Sequence, residues 1–122
     1  MFLGASSFVM CGITDPETLE ALACREGLAL AVDLNLRKLR VASDCSNVIG
    51  SLTGVGFSQY GHIVKEIRAR AAGFVAAEFV YENRSSNIDA HSLARSSISV
   101  PVGRHLWLQS PPDCVSVTRT IE

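Results

Sequence analysis

The chain has 122 residues, of which 48% are hydrophobic and only 7% aromatic, with a formal net charge of −1. This length supports at most one domain, and the composition predicts a core built mostly of Ala, Leu, Val and Ile. No apolar run approaches the roughly 20 residues of a membrane helix, and the start lacks the basic segment of a signal peptide. The near-neutral charge excludes a general attraction to nucleic acid, so any such binding would need a local basic face.

Four cysteines are widely spaced and form no paired-cysteine motif: Cys11, Cys24, Cys45 and Cys114. This spacing argues against a zinc site or a disulfide framework. Core cysteines in a reducing compartment are the expected alternative, which favours an intracellular protein of the nucleus or cytoplasm.

The first half of the chain predicts a strand, a long helix and a second strand. Residues 1–13 are β-compatible and bracketed by glycines, with no second strand close by to form a hairpin. Asp15 followed by Pro16 predicts a helix start, and the apolar spacing carries this helix to about Asn35. Leu39–Ser43 then predicts a short, apolar strand that is central and parallel.

The second half continues the alternation of helices and strands. Ser46 can cap a short helix, and residues 59–73 have the spacing of an amphipathic helix. Residues 74–81 predict another strand, and residues 87–97 predict a last helix with Ala90, Leu93 and Ala94 inward. The order predicts an α/β layered fold with parallel strands over residues 1–97. Prolines and glycine punctuate residues 98–122, which predict an irregular tail packed on or beside that domain.

Three motifs together resemble the type-1 RNase H fold in its plant reverse-transcriptase-like form. They are Leu19-Glu20-Ala21-Leu22-Ala23, Val41-Ala42-Ser43-Asp44, and Arg84-Ser85-Ser86-Asn87 running into Ala90-His91-Ser92-Leu93-Ala94. They follow the family's order on the expected elements, and the resemblance covers residues 1–97. It implies a three-layer RNase H-like α/β fold truncated at the N-terminus, because the sequence starts at what resembles the third strand. The family's sheet order, 3-2-1-4-5, would leave that strand either docked beside Leu39–Ser43 or loosely attached.

The resemblance implies recognition of RNA–DNA hybrid or RNA through shape, phosphates and 2′-hydroxyls, with Mg²⁺-dependent hydrolysis of the RNA strand as the ancestral activity. In the family, four carboxylates hold two Mg²⁺ ions, which prefer hard oxygen ligands and activate the attacking water. Glu20 and Asp44 match two of these ligands, and His91 stands at the position of the fourth. These three form the expected catalytic set, and Arg84 and Asn87 are expected to contact nucleic acid.

Two of the family's positions have no carboxylate counterpart here. The first aspartate lies on a strand that the sequence does not show, and the fourth is His91. The histidine of the family's flexible loop aligns with Tyr81. We therefore expect hydrolysis by this chain to be weak or lost.

Each expected site residue also has a plainer interpretation. Glu20 is consistent with a half-buried helix glutamate paired with an arginine, and Asp44 with a helix cap. His91 is consistent with a helix-surface histidine without a task, and Arg84 and Asn87 with loop structure and helix capping.

Six basic residues fit either a phosphate track or a solvated helix face: Arg37, Lys38, Arg40, Lys65, Arg68 and Arg70. The alternative function is a non-catalytic interaction or vestigial domain that keeps the fold only. A small-molecule α/β enzyme is disfavoured, because the chain has no glycine-rich phosphate loop and no nucleophile elbow. The sequence leaves the oligomeric state open.

Overall fold

The computed structural model describes residues 4–9, 12, 15–54, 60–83, 88–96, 101–110 and 112. Within these residues, helices and strands alternate much as the sequence predicts, and the α/β class is confirmed. The elements are β1 (Ala5–Val9), α1 (Pro16–Asp33), β2 (Lys38–Ser43), α2 (Ser46–Thr53), α3 (Gly61–Ala71), β3 (Ala76–Tyr81), α4 (Ile88–Ser96) and β4 (Gly103–Trp107). None of the helices in the described ranges is long and apolar enough to cross a membrane.

The start of α1 confirms the expected cap. The Asp15 carboxylate accepts hydrogen bonds from the Thr18 backbone N–H at 2.9 Å and from the Thr18 hydroxyl at 2.7 Å. These bonds stabilise the charged form and therefore lower the pKa of Asp15. Pro16 occupies the first helical position, where its missing N–H costs nothing. At the other end, Asn35 follows the helix with φ 57°, in the left-handed region that asparagine tolerates.

The core lies between α1, the α2–α3 pair and the sheet of β2 and β3. These two strands run parallel, as the apolar run predicts, with Lys38 opposite Ala76 and Ser43 opposite Tyr81. The predicted central position of β2 is not observed, because within the described residues its sheet has two strands. The largest fully buried side chains come from three helices: Leu28, Val48 and Ile67. Because α1 packs on both β2 and α3, it fixes the carboxyl end of β2 relative to the helices.

The first strand has a partner that the sequence did not predict. β1 pairs antiparallel with β4, from Ala5 opposite Trp107 to Val9 opposite Gly103. This pairing corrects the expectation of an irregular tail for residues 103–107, and β1 neither docks beside β2 nor hangs loose. The two strands lie almost 100 residues apart in sequence, so no hairpin signal joins them. β4 is also short, which makes it hard to recognise as a strand from its sequence.

The small residues of α4 also differ from their predicted placement. Leu93 is buried as expected, but Ala90 and Ala94 are exposed. Both border a cavity between α4, α1 and β2.

Candidate functional site

Glu20 and Ser43 meet where α1 crosses the carboxyl end of β2. The Ser43 hydroxyl donates a hydrogen bond to Glu20 Oε2 at 3.2 Å and accepts one from the Cys45 backbone N–H at 3.1 Å. Ser43 is only 2% exposed, so its hydroxyl is held in place by the surrounding core. The Glu20 carboxylate is thereby oriented by a neutral hydroxyl donor. The alternative interpretation, a pair between Glu20 and an arginine, is not found among the described residues, where Arg25 of the same helix pairs with Glu66.

Asp44 and His91 meet directly at the same end of β2. His91 Nε2 lies 2.7 Å from Asp44 Oδ2, and the two side chains are 26% and 15% exposed. This contact joins α4 to the turn after β2, so His91 is not an idle surface histidine. Asp44 is also not the cap of α2, because the N-cap residue is Cys45 and no side chain caps it. Ser46, the expected cap, is instead the first residue of that helix.

The carboxylates of Glu20 and Asp44 have no lysine or arginine partner among the described residues. Ser43 and Asp44 are consecutive, so one short segment connects the two acid groups. Carboxylates that lack a cationic partner retain their affinity for a cation.

Glu20 and Asp44 are two carboxylates near the carboxyl end of β2, without a preformed metal cage around them among the described residues. In the part of the chain that the structure describes, no three His, Cys, Asp or Glu side chains form a cluster able to hold a metal ion. Mg²⁺ is commonly held by one or two carboxylates, with water and substrate phosphates completing its shell. Glu20 and Asp44 can supply those carboxylates, whereas the His91 imidazole is a softer ligand already engaged with Asp44.

Three further residues were singled out in the sequence: Arg84, Asn87 and Tyr81. Arg84 and Asn87 lie outside the described residues. Tyr81, at the end of β3, is 56% exposed.

Half of the predicted phosphate track is engaged within the protein. Arg68 donates hydrogen bonds to the carbonyls of Ser51, Leu52 and Gly54, which end α2. Arg70 pairs with Glu66 at 2.8 Å, and Arg40 lies 3.6 Å from Glu78 in an exposed pair. The sequence could not reveal the Arg68 contacts, because carbonyls at a helix end leave no trace in the pattern of charged residues.

Cys24 is a buried group that the sequence analysis placed only as a core cysteine. It is 4% exposed on α1, and burial, followed by the nearby Glu20 carboxylate and Cys45, raises the pKa of its thiol to about 12. The thiol therefore stays protonated at neutral pH and is a poor nucleophile.

Comparisons with known proteins identify the family and the fold. Residues 1–97 match the family model described as reverse transcriptase-like. The fold is similar to the crystal structure of RNase H1 from the halophilic archaeon Halobacterium salinarum NRC-1, with a TM-score of 0.62 and 22% identity over 74% of this chain and 70% of that chain. No curated protein matched the chain at a significant level.

The family match spans the elements from β1 to α4. It therefore includes the residues around the carboxyl end of β2 on which the resemblance rests. The structural likeness independently shows the same fold. The chain therefore belongs to the reverse transcriptase-like family and carries an RNase H-like domain.

Proposed function

We propose that this domain binds RNA–DNA hybrid or RNA and that a Mg²⁺ ion joins the complex at Glu20 and Asp44. The observation that supports the proposal is a pair of carboxylates, without lysine or arginine partners among the described residues, near the carboxyl end of β2. Ligand sites in open α/β sheets lie at this end of the strands. The family to which the chain belongs supports a nucleic-acid-related, RNase H-type function.

Each residue has a separate task in this proposal. Glu20 and Asp44 hold the cation, and Ser43 keeps the Glu20 carboxylate in one orientation through its hydrogen bond. His91 orients Asp44 through the 2.7 Å contact and, when protonated, can bind a phosphate. Arg84 and Asn87 are proposed to contact the nucleic-acid backbone. A bound Mg²⁺ would help to activate the attacking water and stabilise the leaving oxygen.

Hydrolysis is proposed to be weak or absent. Two carboxylates can hold one ion, but two ions acting together need more ligands than Glu20 and Asp44 supply. His91 further reduces the available oxygen ligands, because it occupies Asp44 Oδ2. This occupation favours the alternative candidate function, an RNase H-like interaction domain that keeps the fold without catalysis.

The proposal is tested with a labelled RNA–DNA hybrid and with Mn²⁺ as a spectroscopic substitute for Mg²⁺. The double variant Glu20→Gln/Asp44→Asn is expected to lose Mn²⁺ binding in electron paramagnetic resonance titrations. The matched control is Glu17→Gln/Glu78→Gln, which removes the same charge from two carboxylates outside the site. Unchanged Mn²⁺ binding in the first double variant would contradict the assignment of the metal ligands.

Hybrid binding and cleavage are measured in the same samples. Fluorescence anisotropy is expected to show hybrid binding that Mg²⁺ strengthens in the unmodified chain and in the control variant only. Slow cleavage that disappears in Glu20→Gln/Asp44→Asn would support a residual nuclease. Hybrid binding without cleavage, with or without metal, would favour the interaction domain.

A further inference from the structure

An open depression of about 660 Å³ lies at the end of the β2–β3 sheet opposite to the candidate site. It is formed where α1 and α3 end and where the chain leads into β2 and β3. The six residues of β2, about 20 Å in length, separate it from Glu20 and Asp44. In the family's sheet order the first strand lies along the other edge of β2, whereas this depression lies on the side of β3.

Two exposed valines form the apolar part of the depression. Val75 is 70% exposed, more than any other large apolar side chain among the described residues, and Val32 is 61% exposed. Half-buried Phe74 lies between Val75 and the core, against which it packs. Exposed valines contribute little to folding, and apolar side chains grouped inside a polar rim are typical of a protein-binding surface.

Main-chain hydrogen bonds fix the shape of this surface. Asn35, with φ 57°, ends α1 in the left-handed conformation, and its N–H donates to the Val32 carbonyl at 3.0 Å. The Val75 N–H donates to the Arg37 carbonyl at 2.8 Å, which holds the exposed valine beside an exposed cation. A partner therefore meets a surface that is already formed, and this reduces the entropic cost of binding.

The charged residues that line the depression are both positive. They are Arg37 and Arg70, and no acidic residue lines it. Arg70 pairs with Glu66 at 2.8 Å within α3. Arg37 is exposed and has no carboxylate partner among the described residues, and the exposed Lys38 follows it. The rim thus carries uncompensated positive charge, although the whole chain has a net charge of −1.

We propose that this depression binds an acidic segment of a partner protein, which places large apolar side chains on Val32 and Val75 and a carboxylate on Arg37. A guanidinium binds a carboxylate through two parallel hydrogen bonds, and the valines bury the neighbouring apolar groups. Nucleic acid fits less well, because aliphatic side chains offer no stacking surface for bases. A second copy of the same surface also fits less well, because two cationic rims repel each other.

This inference goes beyond the proposed function and does not depend on it, because neither metal nor nucleic acid takes part. The first test is therefore peptide binding to the whole chain in EDTA. The fluorescein-labelled peptide Asp-Asp-Leu-Leu-Asp-Asp-Leu-Leu is expected to bind saturably, with a Kd below about 1 mM by fluorescence anisotropy. Versions with lysine for aspartate or serine for leucine are expected to bind at least about tenfold more weakly. Lack of saturable binding, or equal binding of either version, would overturn the proposed partner.

A charge reversal tests the cationic rim. Arg37→Glu is expected to weaken binding of the acidic peptide at least about tenfold. The matched control is Arg95→Glu, because Arg95 is exposed on α4 and does not line the depression. Equal affinities in folded samples of both variants would overturn the location. RNA–DNA hybrid binding in EDTA that only Arg37→Glu weakens would assign the surface to nucleic acid and would also overturn the proposal.

A polar substitution tests the apolar part. Val75→Ser is expected to weaken peptide binding about fivefold, because the peptide loses apolar contact area. Val102→Ser is the control, since Val102 is similarly exposed, at 62%, and lies outside the depression. Equal binding by both variants would contradict an apolar contact at Val75. In analytical ultracentrifugation without peptide, self-association that only Val75→Ser prevents would make the depression an interface between two copies and would overturn the proposed partner.

Discussion

Two glutamates of α1, fewer than two turns apart, have opposite surroundings. Glu26 Oε1 lies 2.5 Å from Nε of Arg104, and Nη2 of the same arginine forms a 2.7 Å ion pair with Asp33. Burial alone lowers the pKa of Arg104, but its bonds to Glu26 and Asp33 more than offset this and raise it. Glu20 instead contacts the neutral hydroxyl of Ser43.

The difference separates a structural acid from a candidate binding acid. Arg104 belongs to β4, so its pairs with Glu26 and Asp33 attach the β1–β4 sheet to α1. Glu20 has an oriented carboxylate but no cation among the described residues, which is the state expected of a group that receives one from outside. The helical pattern of α1 does not distinguish the two glutamates. Their contacts with other elements of the folded chain do.

The largest effect is expected from removing the cation of the structural cluster. Arg104→Ala leaves Glu26, whose side chain is 12% exposed, without its partner, and should cost about 3 kcal/mol of unfolding free energy. Urea unfolding followed by circular dichroism measures this loss. Arg40→Ala, which removes an exposed ion pair, is the control and should change stability by less than about 1 kcal/mol. Similar losses in both variants would show that the cluster does not hold β4 on α1.

A smaller loss of stability is expected at the candidate site itself. Ser43→Ala removes the donor to Glu20 and the acceptor for the Cys45 N–H, and should cost about 1–2 kcal/mol in urea unfolding. It should also weaken Mn²⁺ binding, because Glu20 loses its fixed orientation. Ser51→Ala is the control, since that hydroxyl only bonds back to the Asn47 carbonyl within α2. A Ser43→Ala variant as stable as Ser51→Ala would contradict the described hydrogen bonds.

The elements of the fold could largely be predicted from local signals. The Asp15 cap, the proline after it and the apolar runs place α1, β2 and β3 within a few residues of their positions. The pairing of β1 with β4 could not be predicted, because it joins segments almost 100 residues apart and depends on Arg104 reaching two acids on α1.

The resemblance names the residues of the candidate site but not the contacts between them. The resemblance identified Glu20, Asp44 and His91, and the structure joins the last two directly. The role of Ser43 was missed, although a serine just before an aspartate at a strand end is a usable signal for a hydroxyl that orients a nearby acid. The prediction of a central position for β2 was wrong for the described residues, because an apolar run has the same pattern whether its strand has one neighbour or two.

A further effect concerns stability at alkaline pH. The pKa of Cys24 is about 12 in the folded chain and nearer 9 in the unfolded chain, so the unfolded state loses its proton first. The contribution of this thiol is fully present below about pH 9 and declines as the pH rises toward 12. Unfolding in urea at pH 8 and pH 10 should show a decrease of about 1 kcal/mol that is absent in Cys24→Ala. The same decrease in both proteins would assign it to other groups.

The smallest expected effect returns to the two glutamates. The Glu20 carboxylate is the second cause, after burial, of the raised pKa of Cys24, whereas Glu26 is not among its causes. Glu20→Gln should therefore lower the pKa of the Cys24 thiol and speed its alkylation by iodoacetamide at pH 9–10, and Glu26→Gln should not. Replacing Cys11, Cys45 and Cys114 by serine in all samples leaves Cys24 as the one thiol in the signal. Equal changes of the alkylation rate in both glutamine variants would show that the Glu20 carboxylate has no special influence on the Cys24 thiol.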